Sequence, residues 1–136
     1  MEMEYQNLTE QIIGCAMRVH GVLGPGFLES VYQTALAHEL RKCGVQVECE
    51  VPLNVMYDQI VVGTFSADMR VEGVVLLENK AVQALSIAHE VQLVNYLTAT
   101  GIDVGLLLNF GSQRLEFKRK FRLYRPKNTP QTDTTG

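Results

Sequence analysis

Two apolar stretches, residues 74–82 and 104–110, are separated by residues 86–100, where apolar side chains recur at helical spacing up to Gly101. A helix between two strands ordinarily makes them parallel neighbours, because a parallel pair needs a long crossover, and that crossover is right-handed by sterics. Residues 104–110 are almost unbroken apolar text, as expected for a strand covered on both faces.

The flanking segments fill in the architecture. Leu8, Ile12, Cys15, Ala16, Val19 and Leu23 recur at helical spacing, with Asn7 and Glu10 as a capping pair at the start. Gly21, Gly24, Pro25 and Gly26 end that pattern. A second helix is expected over residues 28–43, with Val31, Ala35, Leu36 and Leu40 on one side and Gly44 as its stop. The period then changes from 3.6 to 2. Strands are expected at 45–51, at 53–57 after Pro52, at 60–71 after a turn at Asp58-Gln59, and at 74–82 after Gly73. Leu115, Phe117, Phe121 and Leu123 alternate with Glu116, Lys118, Lys120 and Arg122 in a last strand. The expected order is α-α-β-β-β-β-α-β-β: an α/β fold with a mixed central β-sheet flanked by helices.

A chain of 136 residues with 46% hydrophobic side chains has one domain's worth of core, which excludes disorder as its main state. Residues 1–124 are expected to form that domain. Residues 125–136 hold two prolines and no aliphatic or aromatic side chain, and are expected as a mobile tail. No apolar run approaches the roughly 20 residues of a membrane span. The acidic start, Met1-Glu2-Met3-Glu4, is unlike a signal peptide, so the cytoplasm is the expected compartment, with no membrane partner. Cys15, Cys43 and Cys49 are an odd count without Cys-x-x-Cys spacing. They read as small buried hydrophobes rather than a disulfide framework or a zinc site. The histidines show no metal-ligand spacing.

The net charge of −3 argues against nucleic acid, but the charge is unevenly placed. Residues 114–127 hold seven Lys or Arg against Glu116, whereas the rest of the chain holds five basic against fourteen acidic residues. Such asymmetry fits either a local anionic partner or a solvated strand face.

Charged residues also interrupt apolar strand text in F-S-A-D-M-R-V and V-V-L-L-E-N-K-A-V. Residues two apart in a strand share a face, so Glu78 and Lys80 are neighbours, opposite Val75, Leu77 and Ala81. Thr64, Ser66, Asp68 and Arg70 share a face of the preceding strand. A two-residue turn at Glu72-Gly73 would set Asp68 opposite Leu77 and separate the acids. A three-residue loop Val71-Glu72-Gly73, with Gly73 in the left-handed position, would set Asp68 opposite Leu76 and Glu78 one diagonal step away. The three-residue loop is the expectation. Two carboxylates at that distance repel unless a cation or a proton lies between them. One reading is an ion-paired cluster with Lys80 on an exposed sheet face. The other is a divalent-metal site, since Mg2+ takes one or two carboxylates and keeps waters for substrate phosphates.

The company of these residues favours the second reading. A helix, a hairpin carrying Asp…Glu-x-Lys, then a helix and a strand resemble the PD-(D/E)XK nuclease superfamily, whose core is restriction-endonuclease-like. H-G-V-L-G-P-G-F-L-E-S-V-Y further resembles the signature of GxxExxY proteins, with Gly26, Glu29 and Tyr32 at the named positions. The resemblance continues through F-S-A-D, L-E-N-K-A-V, H-E-V-Q-L-V-N-Y-L and V-G-L-L-L-N-F-G. It implies Asp68 and Glu78 as metal ligands, Lys80 as the catalytic lysine, and Glu29 as an additional metal-binding acid from the second helix. It also implies Gln92 as a catalytic residue beside the metal water, with Mg2+ or Mn2+ as cofactor. His89 lies one turn before Gln92. Tyr96 lies one turn after it and reads foremost as packing. Asn79 departs from the pattern, because it points to the apolar face, where the superfamily usually carries an aliphatic residue.

Two function classes follow. One is a Mg2+-dependent nuclease or related phosphodiesterase acting on nucleic acid, with Lys118, Lys120 and Arg122 as phosphate contacts. The other is a non-catalytic module that uses the same fold to bind nucleic acid or a protein partner. The chain has no insertion large enough for a DNA-reading clamp, and a homodimer would double its basic stripe.

Overall fold

The computed structural model describes residues 5–123; the tail expected at 125–136 lies outside the described residues, as do Arg125 and Lys127 of the basic segment. The elements are α1 (Gln6–Leu23), α2 (Glu29–Lys42), β1 (Val47–Tyr57), β2 (Ile60–Val71), β3 (Val75–Lys80), α3 (Ile87–Thr100), β4 (Val104–Asn109) and β5 (Glu116–Phe121). The strands form one sheet in chain order, β1-β2-β3-β4-β5. β3 and β4 are parallel across the α3 connection, and the other neighbours are antiparallel. The α/β class and the mixed sheet flanked by helices are thus as expected. Helices α1 and α2 pack on one face of the sheet, against Met69, Val71, Val75, Leu77, Leu106 and Leu108. Helix α3 packs on the other, against Ala67, Leu76 and Leu107. No helix among the described residues is long and apolar enough to cross a membrane.

Local chemistry accounts for the ends of these elements. Ser86 caps α3 by accepting the His89 amide while His89 Nδ1 accepts the Ser86 amide, and Gly101 closes the helix at φ 75°. At the end of α2, the Gly44 amide donates to Arg41 and the Val45 amide to Leu40. With Gly44 at φ 78°, this is a Schellman motif. A Cβ at Gly105 would stand 3.0 Å from Leu93, so this glycine lets α3 sit close on β4.

Several expectations need correction. Helix α1 starts before Asn7, with Tyr5 in the capping position and no side-chain cap, and Glu10 accepts instead from Gln6. The strands expected at 45–51 and 53–57 are one strand, β1, so the order holds three strands between α2 and α3 rather than four. Pro52 fits inside it because β1 is a sheet edge, where a missing N–H on the outer side costs no ladder bond. The buried face of α2 is Tyr32, Leu36, Ala37 and Leu40, while Val31 is exposed. Of the cysteines only Cys15 is buried; Cys43 and Cys49 are exposed. Phe117 and Phe121 in β5 are also left partly open.

Candidate functional site

The β2–β3 connection decides whether the two acids meet. Glu72 and Gly73 both take positive φ, at 53° and 71°, and the Val74 amide donates to Val71. The loop has three residues, as expected, but they are Glu72, Gly73 and Val74, so Val71 pairs with Val75. That register puts Asp68 level with Glu78 rather than with Leu76. The ladder stops one step earlier, at Met69 and Leu77. Beyond it the side chains take over from the backbone. The Asp68 amide donates to Glu78 Oε2 at 2.9 Å, and the Asn79 amide donates to Asp68 Oδ2 at 2.7 Å. Each carboxylate is therefore held by the opposite strand through one oxygen, and the second oxygen of each has no protein donor among the described residues.

The electrostatics of the pair follow from its surroundings. Glu78 is only 4% exposed, and Asp68 is half-buried. Burial and the neighbouring Asp68 charge push the Glu78 carboxyl up to about 8, against the pull of the Asp68 amide and of Lys80. Asp68 is also raised, first by burial and then by the charges of Glu50 and Glu29, while the Asn79 amide and Lys80 oppose the rise. Glu29 thus acts on Asp68 from the first turn of α2, though its own side chain is exposed.

The geometry of that first turn ties Gly26, Glu29 and Tyr32 together. Gly26 sits at φ 115°, a conformation that side chains rarely adopt. Tyr32 is fully buried and stacks on Phe110 with ring centroids 4.8 Å apart. Its hydroxyl donates to the Gly24 carbonyl at 2.6 Å and accepts the Phe27 amide at 3.0 Å. The tyrosine clamps the loop that aims the start of α2, and Glu29 with it, at the sheet.

Lys80 lies on the same face as Glu78, and its ammonium donates to Gln92 Oε1 at 3.4 Å. Among the described residues Lys80 makes no ion pair, so the ion-paired cluster with Lys80 is not what forms. Tyr96, below Gln92 on α3, is buried beside Phe65. Burial and then the charges of Glu78 and Asp68 raise its phenol, so it borders the acids as well as packing. His89 is engaged in the Ser86 cap. Asn79 does point to the apolar side. Its Nδ2 reaches Met69 Sδ, and its buried Oδ1 has no partner among the described residues.

Two further residues take part. Glu50 sits at φ 55° in β1, and its carboxylate is held by Gln33 and Ser66. Its charge raises both Asp68 and Glu78. In the sequence it is one more polar residue on an alternating strand. Asn109, fully buried and paired with Lys80 in the β3–β4 register, accepts the amides of Val82 and Gly111 and donates to Glu116. It fixes the backbone that leaves Lys80. Its signal was a single polar residue in the otherwise apolar run 104–110.

No group of three or more His, Cys, Asp and Glu side chains among the described residues is arranged to hold a metal ion. Asp68 and Glu78 nonetheless suit a hard dication, which needs as few as one or two carboxylates: each has an oxygen to spare, and the Asp68 charge that raises Glu78 is of the sign a cation would offset. The basic stripe of β5 is largely occupied. Lys120 and Lys118 approach Glu90 at 2.9 and 3.9 Å, and Arg122 pairs with Asp103 at 2.8 Å.

A search of curated proteins finds no match. Among solved structures the crystal structure of SSO0001 is similar in fold, with a TM-score of 0.55 at 17% identity, over 71% of this chain. The chain spans half the length of that protein. The model of the PD-(D/E)XK nuclease superfamily matches residues 6–120, a stretch that includes both acids, Lys80 and Gln92. The chain belongs to the PD-(D/E)XK nuclease superfamily.

Proposed function

We propose that this protein is a Mg2+- or Mn2+-dependent nuclease or related phosphodiesterase acting on nucleic acid, and that it is a GxxExxY protein. The observation that carries the reading is the crossed pair Asp68–Glu78, each carboxylate tied through one oxygen, beside a lysine held by a glutamine rather than by an acid. A surface ion-pair cluster would have closed on Lys80. The support for the finer family is the joint work of Gly26, Glu29 and Tyr32 at the α2 entrance.

Asp68 and Glu78 would hold the metal, with Glu29 acting on it from α2. The bound ion supplies Lewis acidity, neutralising phosphoryl charge and lowering the pKa of an attacking water. Lys80 places a positive charge where negative charge develops on the phosphoryl oxygens. Gln92 Oε1 accepts a hydrogen bond from the Lys80 ammonium and so fixes where it points. Lys118, Lys120 and Arg122 contribute phosphate contacts once displaced from Glu90 and Asp103.

A cleavage screen over labelled DNA and RNA, single- and double-stranded, with Mg2+ or Mn2+ and an Asp68→Asn control, tests the reading. Metal-dependent cleavage that disappears in Asp68→Asn is expected. Activity that survives the substitution would place the chemistry elsewhere. A non-catalytic module predicts instead that Mg2+ leaves the wild-type Tm where it was.

A further inference from the structure

Next to the acids the sheet gives way to a two-stranded arm. β2 pairs with β1 from Ile60 onward, but with β3 only over Met69–Val71, so the distal parts of β1 and β2 run on beyond β3. The arm also turns over. Val47, Met69 and Val71 face α1 and α2, whereas Val51, Leu53 and Ala67, at positions of the same parity, face α3. The change falls at Glu50 and Asp68, where Glu50 takes its left-handed φ. The arm consequently lies along α3, and a groove of about 1030 Å³ runs between them.

The groove is continuous with the candidate site and is made of different chemistry. Gln92 lines it, and Lys80 touches Gln92. Tyr96 lines it too, with its phenol under the influence of Glu78 and Asp68. Farther along are Phe65, Met56 and Val91, all about half exposed, together with the amides Asn54 and Asn95. Among the described residues no Lys, Arg, Asp or Glu lines it. The Phe65 ring leans on Tyr96 with centroids 5.8 Å apart. It also lies over Gly63, where a Cβ would stand 2.9 Å from the ring, so the absent side chain makes room for it.

A duplex offers outward phosphates and hides its base faces, and no cation among the described residues lines this groove to meet it. Lys120 on β5 and Arg122 just after it are paired with Glu90 and Asp103. Unpaired nucleotides offer what the groove complements: flat apolar ring faces for Phe65 and hydrogen-bonding edges for the two amides. We propose that the groove between the β1–β2 arm and α3 binds unpaired bases of single-stranded nucleic acid and so delivers a single strand to Asp68, Glu78 and Lys80. The inference rests on the phosphodiesterase reading of those residues and adds the class of substrate.

Fluorescence anisotropy tests it, with the full chain carrying Asp68→Asn so that the probe stays intact, in Mg2+. The probes are labelled 12-mer oligodeoxynucleotide and oligoribonucleotide single strands, and the matched duplexes. The single strands are expected to bind at least about tenfold more tightly than the duplexes. Stacking on one aromatic side chain is worth roughly 5- to 160-fold per base. Adding Phe65→Ala should therefore weaken the single strand at least about fivefold and leave the duplex unchanged. Val91→Glu, which puts a carboxylate into the groove from an exposed position, should do the same. An equal preference for duplex, single-strand affinity within twofold of the parent in both variants, or no binding to any probe would overturn the inference. The Mg2+-induced Tm shift of the wild type reports separately on the metal reading. A shift without single-strand preference overturns only the groove, and single-strand preference with neither shift nor cleavage overturns only the enzyme.

Discussion

Glu78→Gln should make the metal-free protein more stable at neutral pH, although it removes a buried carboxylate from the middle of the sheet. The substitution keeps the local bond, since the amide oxygen still accepts the Asp68 amide now received by Glu78 Oε2. What it removes is the ionisation. The Glu78 carboxyl, ordinarily at 4.5, stands at about 8 in the fold, raised first by burial and then by Asp68. A raised folded-state value means that folding takes up a proton between the two values. Stability relative to the acid form is therefore fully present below about pH 4.5 and is lost as pH rises through about 8. At pH 7 the cost is about 3 kcal/mol, from roughly 1.4 kcal/mol per pH unit over the interval above the unfolded value. Because Asp68 and Glu78 titrate as a pair, some of this is relieved when Asp68 takes the proton instead, so about 3 kcal/mol is the upper end.

For a domain of this size a gain of 1–3 kcal/mol raises Tm by roughly 3–10 °C. Thermal melts of wild type and Glu78→Gln in EDTA, from pH 4.5 to 8.5, should show two curves that nearly meet at the acid end and diverge as pH rises, with the variant above. The same melts in Mg2+ should narrow the gap from the wild-type side, because the ion offsets the repulsion that the amide has already removed. If Glu78 were instead held by Lys80, the order would reverse, and the variant would melt below wild type with a gap that shrinks on acidification. A Glu78→Gln protein less stable than wild type at pH 8 in EDTA refutes the reasoning.

Three further outcomes are expected. Tyr32→Phe keeps the stack on Phe110 but leaves the Gly24 carbonyl and the Phe27 amide without the hydroxyl, and should cost about 1–3 kcal/mol in a urea melt. Gly111→Ala drives a Cβ into the Val82 backbone, which Asn109 holds in place; a loss of about 1–3 kcal/mol or more is expected by the same assay. Asn79→Val deletes a buried carbonyl without a donor and should raise stability by about 1 kcal/mol or more, while leaving any metal-induced Tm shift intact.

Residues whose role depends on period or on turn chemistry were legible in the sequence. The Ser86 and Gly101 ends of α3, the stop at Gly44, and the shared face of Glu78 and Lys80 all follow from spacing and conformational preference. The two strands drawn around Pro52 merged because whether a proline ends a strand depends on what lies beside it, and the sequence does not say that β1 is an edge. The level of Asp68 with Glu78 hung on one residue of loop. Glu72 accepts a left-handed φ that its type disfavours, and its carboxylate, bonded to the Gln46 amide across the β1 end, helps to hold it there. Glu50 was invisible for a related reason. Nothing in Glu48-Cys49-Glu50 marks which residue breaks the strand geometry.

Three unmatched features of this fold gather in one place. The β2–β3 ladder ends at Met69 and Leu77, the one positive φ inside a strand is at Glu50, and the one buried side-chain atom without a partner among the described residues is on Asn79. All three lie within two residues of Asp68 or Glu78, or level with them across the sheet. A sheet built for stability alone would have continued the ladder through positions 68 and 78 with apolar neighbours, as it does at Leu77 and Leu106. Here two carboxylates stand in for ladder acceptors and a third, on Glu50, adds to their repulsion, which costs stability at the candidate site. A cation or a proton at that point relieves the pair, and the pair, through its crossed bonds to the Asp68 and Asn79 amides, fixes the strands that carry Lys80. The cost in stability and the candidate chemistry are thus properties of the same two side chains, which is why one substitution, Glu78→Gln, should move them in opposite directions.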